Sequence, residues 1–279
     1  MSTSTPERTP FAEVDGLPPE MAALVIAALD GMAARPEIQR VRAVARAALA
    51  PAPGQRILDA GCGAGEEARR LAAAVAPGGE VVALDLSATT VALARDRHDV
   101  ECGDGGDVAY RTGDVTALDF PDGTFDGVRC ERVLQHLADP DGAVAELVRV
   151  TRPGGRVCLV DTDWESLAGD GVPDDLAAAL RAHLDESDRL HHASMGRTLR
   201  RRLVRAGLVD VVAEPVPLTY TDPAEAAAVI PVFNPAIPAE ANMLPADLAE
   251  PWFAAVGAAA GRGEFLATLT IWVATGVKA

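Results

Sequence analysis

Residues 56–65 read RILDAGCGAG, in which a short apolar run, Ile57 and Leu58, meets Asp59 and then three glycines at alternate positions, Gly61, Gly63 and Gly65. Behind them residues 68–76, ARRLAAAVA, are rich in helix formers. The stretch predicts a strand that turns at once into a helix over backbone stripped of side chains. Such a turn lets a ligand rest on main-chain N–H groups at a helix N-terminus.

Which ligand it holds follows from the neighbouring residues. A dinucleotide loop needs G-x-G-x-x-G, so that pyrophosphate sits on the helix N-terminus. Here the third glycine position is Glu66, followed by Glu67. Two carboxylates suit the helix dipole and repel a pyrophosphate. A P-loop needs a lysine after the glycines, and the chain's one lysine is Lys278. A phosphate-free ligand with a cationic centre fits better, and the loop reads as a site for S-adenosylmethionine (SAM), which carries a sulfonium, an ammonium and a carboxylate.

The following segments extend the pattern. Residues 80–86, EVVALDL, predict a buried strand ending in Asp85, about twenty residues past the glycines, where an acid accepts from ribose hydroxyls. Ser87 is placed to cap a helix, ATTVALARDRH. Further strands are expected at 108–111, 125–130 and 156–161, with a helix at 142–150 and a turn at 152–155, RPGG. Acids then stand at four strand ends: Asp59, Asp85, Asp114 and Asp161. In an open parallel sheet those ends form the binding crevice.

LDAGCGAG (58–65), VVALDLS (81–87), GDVTALDFPDGTFDGV (113–128), RVLQHLADP (132–140) and LVRVTRPGGRVCLVD (147–161) together resemble the class I SAM-dependent methyltransferases. The likeness is to the small-molecule branch related to ubiquinone and menaquinone C-methyltransferases, and it covers residues 55–161 most strongly. It implies an α/β fold: a Rossmann-like, seven-stranded, mostly parallel sheet with helices on both faces, plus a helical cap or lid. By the same resemblance Gly61, Gly63 and Gly65 would approach the methionine half of SAM, and Asp59 would order the loop and the ammonium. Asp85 would bind the ribose, Leu86 would pack on adenine, and Asp114 with the Val115 N–H would meet the adenine edge. The Cys130 backbone would meet the ammonium. Arg42 would pair with the methionine carboxylate, unless it is a solvated helix arginine.

Composition narrows the rest. The 279 residues are 49% hydrophobic, enough for one large core or a domain with a cap. A net charge of −16 disfavours a nucleic-acid groove, which demands a basic face. The basic cluster RTLRRRLVR, residues 197–205, reads as a solvated helix face. Residues 1–15 are expected to be a disordered tail, polar and rich in Ser, Thr and Pro at its start, with no signal peptide. No apolar run reaches the ~18 residues needed to cross a membrane. Cys62, Cys102, Cys130 and Cys158 lack CxxC spacing and read as reduced thiols of a cytoplasmic protein. The five histidines form no ligand constellation, so no metal site is expected.

From residue 16 to 279 one methyltransferase domain is expected, with its core at 51–221 and 264–279. Helices at 18–50, split near Arg35 and Pro36, and a proline-punctuated insertion at 222–263 are expected to form a substrate cap between a sixth strand (209–220) and a seventh (264–275). Apolar residues of the insertion, Phe233 among them, either line a pocket or seal the lid.

An oxygen or carbon acid acceptor needs a base. His136, just past the fourth strand, is the first candidate, against a packing or capping role. Asp163 is a second, against a turn residue, and Trp164 is an aromatic wall or a core residue. His192, beside His191 near a predicted helix end, is a third candidate, against dipole stabilisation or simple exposure. The leading reading is methyl transfer to O, N or C of an apolar small molecule, a secondary metabolite for example. A methyltransferase-like fold turned to another reaction such as cyclisation, and a non-catalytic SAM-binding partner, are the alternatives.

Overall fold

Unbroken aliphatic runs between glycine and proline turns become strands buried on both faces, as parallel sheets require. The computed structural model describes residues 14–101, 107–186, 192–237 and 243–279. Helices α1 (Pro19–Ala33) and α2 (Pro36–Leu49) precede the sheet, and Pro36 opens α2 where an orphan N–H is not needed. There follow β1 (Arg56–Ala60), α3 (Glu66–Val75), β2 (Glu80–Asp85), α4 (Ala88–Glu101), β3 (Asp107–Thr112), β4 (Phe125–Glu131), α5 (Pro140–Val150) and β5 (Thr151–Asp170). The chain continues through α6 (Asp174–Glu186), α7 (Met195–Arg205), β6 (Leu208–Tyr220), α8 (Pro223–Ala227), α9 (Ala246–Gly261) and β7 (Leu266–Lys278).

The seven strands lie in the order β3-β2-β1-β4-β5-β7-β6, with β7 antiparallel to both neighbours and the others parallel. The chain winds outward from β1 in one direction and from β4 in the other, so a crevice opens between the carboxyl ends of β1 and β4. Alternation along the strands divides the core. Ile57, Val81, Ala83 and Cys158 pack towards α2 and α3, whereas Leu58, Val82, Leu84 and Leu159 pack towards α5 and α7.

Several elements differ from the sequence expectation. The fifth strand, expected at 156–161, runs from Thr151 to Asp170. Phe125 pairs with Thr151 and Gly127 with Arg156, so the expected turn at 152–155 is a bulge inside the strand, with Gly154 at φ 75°. Beyond Asp161, β7 supplies partners to Asp163, Ala168 and Asp170, which makes strand of a stretch expected as loop. Glu264 stays outside β7 because its N–H bonds the Ala259 carbonyl at the end of α9. Of the expected tail, residues 1–13 lie outside the described residues, while Val14–Gly16 form a 3-10 turn. Cys102 and His191 lie outside the described residues as well. No helix among those described is long and apolar enough to cross a membrane.

Candidate functional site

The loop after β1 takes its shape from glycine. Gly61, Gly63 and Gly65 have φ of 79°, 51° and 78°, in the region that side chains disfavour. A Cβ on Gly61 would stand 2.2 Å from Val133 Cγ2, whereas nothing lies within 4 Å of one on Gly63. The chain is thus forced close on one side and left open on the other, which suits a ligand laid on the backbone.

The Asp85 carboxylate, at the end of β2, spans this loop and the next helix. It accepts from Gly63 N at 2.8 Å, Ser87 N at 3.0 Å and Thr90 Oγ1 at 3.2 Å. Beside it Leu86 is 51% exposed, an uncovered apolar side chain on a polar rim. At the end of β3, exposed Asp114 accepts from the Thr116 N–H (2.8 Å) and hydroxyl (2.7 Å), and Val115 is buried. Cys130 is buried in β4 beside Ala60. The donors and acceptors at the ends of β1, β2 and β3 therefore run along one edge, and they fit SAM.

Two of the four expected rim acids are not on the rim. Asp59 and Asp161 are fully buried, because both belong to strands packed on both faces. Asp59 accepts from Arg129 Nη1 at 2.8 Å, and its second oxygen has no hydrogen-bond partner among the described residues. Burial pushes the Asp59 carboxyl up more than the Arg129 charge pulls it down.

Arg129, in central strand β4, organises a buried ionic cluster. It also bonds Glu131, which meets Arg42 Nε at 3.2 Å and Arg132 Nη2 at 3.2 Å. Arg42 reaches on to Glu66 at 2.6 Å. Burial alone would raise the Glu131 carboxyl, but three guanidinium groups hold it far below the usual carboxylate range. Arg132 takes φ 54°, a strained left-handed conformation for a side-chain-bearing residue. Arg42 is accordingly buried and paired, with Nε and Nη1 engaged, and not a solvated helix arginine.

Sequence reading missed Asp15. From the Val14–Gly16 turn its carboxylate caps α4, accepting from Ser87 Oγ (2.7 Å), Ala88 N (2.7 Å) and Thr89 N (3.0 Å). Burial opposes ionisation, but hydrogen bonds from Ser87 and Thr89 lower the carboxyl to about 2. No local signal marked it, since its partners lie more than seventy positions along the chain. Arg129 did carry a signal: a lone arginine amid an apolar strand requires a buried counter-charge.

On the other side of the crevice a 3-10 turn, Leu134–His136, follows β4. Gln135 is buried there; its N–H donates to Asp161 Oδ2 at 3.2 Å and its Oε1 accepts from Trp164 Nε1 at 2.8 Å. Burial pushes the Asp161 carboxyl up to about 7 against the hydrogen bonds from Thr162 and Gln135. His136 is half-buried in the same turn. His192 Nε2 lies 3.1 Å from the Leu137 carbonyl, so both histidines flank Leu137. Asp163 is buried and bound to Arg197 Nε at 2.6 Å, and Arg197 also holds Glu165 at 3.0 Å. The second oxygen of Asp163 has no hydrogen-bond partner among the described residues, and the residue sits in a strand rather than in a turn.

Trp164 forms a wall of a cavity of about 250 Å³, the volume of some eight waters. Leu180 and Leu184 of α6 line it together with Phe233, Trp252 and Phe265. Phe233 is buried, stacks on Trp252 at 5.7 Å and meets Phe265 edge-on at 5.3 Å, so it both packs the cap and lines the space. The Trp252 indole is fixed by a 2.8 Å bond to the Val232 carbonyl.

Residues 58–159 match the family model described as a methyltransferase domain. The chain is 33% identical over 246 residues to an uncharacterised 37.1 kDa protein carried in a transposon of Streptomyces fradiae, covering 88% of this chain and 69% of that one. It is 33% identical over 108 residues to the ubiquinone/menaquinone biosynthesis C-methyltransferase UbiE of Saccharophagus degradans; that match spans 39% of this chain and 43% of the relative. The fold resembles Haemonchus contortus phosphoethanolamine N-methyltransferase 2 in complex with phosphomonomethylethanolamine and S-adenosylhomocysteine. The TM-score is 0.61 at 19% identity, over 96% of this chain and 60% of that one.

Proposed function

The chain belongs to the class I SAM-dependent methyltransferases, and we propose that it methylates O, N or C of a small apolar acceptor of the secondary-metabolite kind. The observation that carries this reading is Gln135. Its main-chain N–H meets buried Asp161 of β5 and its side chain meets Trp164, and so the aromatic cavity. The crevice and the aromatic cavity then adjoin at a single residue.

When bound, SAM would supply an electrophilic methyl group to an acceptor held in line with it, leaving S-adenosylhomocysteine. Positioning and exclusion of water provide most of the rate in such a transfer. In this reading Gly61, Gly63 and Gly65 hold the methionine half, over Asp59 and beside the Cys130 backbone. Asp85 takes the ribose, and Leu86, Asp114 and the Val115 N–H take the adenine. Arg42 meets the methionine carboxylate through the nitrogen that Glu131 and Glu66 leave unused. His136 accepts the acceptor's proton, with an imidazole suited to base work near neutrality. Asp163 acts through Arg197 to hold the wall on which Trp164 stands, while Phe233 and His192 bound the acceptor.

Incubation with methyl-labelled SAM and an extract of the source organism, followed by mass spectrometry, tests this. A labelled small molecule is the expected result and identifies the acceptor. Retention of bound SAM with no label transferred would favour the alternative, a fold repurposed for a reaction such as cyclisation.

A further inference from the structure

The residues that α6 turns into the cavity are Ala177, Leu180, Arg181 and Leu184. Their spacing, i, i+3, i+4 and i+7, is the inward stripe of an amphipathic helix, where each position is expected to be apolar. Arg181 breaks that stripe. Among the described residues it has no hydrogen-bonding or ion-pair partner. The one carboxylate lining the cavity, Glu165, is bound to Arg197 at 3.0 Å. Asp174 and Asp175 on the same helix lie seven and six residues away, about 9–10 Å along the axis and outside hydrogen-bond reach, while the side chains of Asp185 and Glu186 lie outside the described residues. The cavity therefore combines apolar aromatic walls with one guanidinium unpaired among the described residues, in a chain of net charge −16.

Resting on the assignment of this cavity to the acceptor, we infer that the acceptor is an amphipathic anion: an apolar ring system seated among the aromatic walls, with a carboxylate-class group bound by Arg181. The guanidinium fork matches a carboxylate in two parallel hydrogen bonds. A cationic acceptor would meet a like charge at the same place. Arg181 is thus a specificity-determining residue, exposed enough for its removal to leave the fold intact.

The test is calorimetric titration of the full chain, saturated with S-adenosylhomocysteine, using 2-naphthoate and its neutral analogue 2-naphthamide. The expected result is that naphthoate binds about tenfold more tightly than naphthamide, as one charge-assisted pair at a partly solvated site provides. Arg181→Gln should erase that preference while leaving the naphthamide affinity unchanged, and Leu184→Trp should abolish binding of both by filling the cavity. Equal binding of the two probes to the wild type, with loss of both in Leu184→Trp, would overturn the anion inference and leave the cavity as the acceptor site. Failure of both probes to bind, or binding that Leu184→Trp does not disturb, would overturn the cavity assignment itself.

Discussion

The two sides of the crevice are built from opposite materials. On the cofactor side, Asp59, Arg129, Glu131 and Arg42 neutralise one another in a buried cluster beneath a glycine loop. On the cavity side, proposed to take the acceptor, Trp164, Phe233, Trp252 and Phe265 enclose an apolar space with few directed bonds. Ionic pairs fix distance and angle and tolerate little change. Apolar walls reward any shape that fills them.

The largest expected effects separate the sides by function. His136→Ala should lower kcat by roughly 10²–10⁴, the usual share of a general base, with SAM affinity unchanged. Asp85→Ala should instead weaken SAM binding about 10–100-fold in calorimetry, through loss of a charged acceptor. If both variants moved the same quantity, the division of labour between the two rims would be wrong.

Next in size is a stability effect confined to the cofactor side. Arg129→Met leaves Asp59 and Glu131 buried without their shared partner, at a cost of about 3–5 kcal/mol. Urea denaturation measures it, and a loss under 1 kcal/mol would mean that the cluster relaxes into water.

The smallest effect concerns Asp161, which lies between the two sides. Its carboxyl is raised by burial to about 7, above the ordinary aspartate value near 4. The native state then holds a proton that the unfolded state has lost, so this residue's contribution to stability falls as pH rises from about 4 to 7 and levels off above. Thermal unfolding of wild type and Asp161→Asn across that range should show the wild type losing ground relative to the variant. A constant difference between them would remove Asp161 from the titrating groups.

Much of the cofactor side was legible in the chain. LDAGCGAG and VVALDLS carry their meaning locally, because a positive-φ loop needs glycine and the acid that braces it ends the next strand. The helices at 18–50, 68–76, 88–98 and 142–150 and the first four strands followed from periodicity and turn residues. The acceptor side was less legible. Trp164 was expected in a loop, but β7, about a hundred residues later, turns that stretch into strand. Nothing in the chain near Asp163 announced the Arg197 that lies against it. Arg181 and the stripe around it had no separate meaning before α6 was seen against the cavity.

The sequence by itself determined a glycine-loop α/β sheet, its cofactor and the acids near its strand ends, because those depend on residues close together in the chain. Only the tertiary structure decided that Asp59 and Asp161 are buried rather than on the rim, that Arg42 belongs to an ionic cluster, and that Gln135 joins the two sides. Those facts depend on which distant strands and helices meet, and desolvation and charge pairing act through space rather than along the chain.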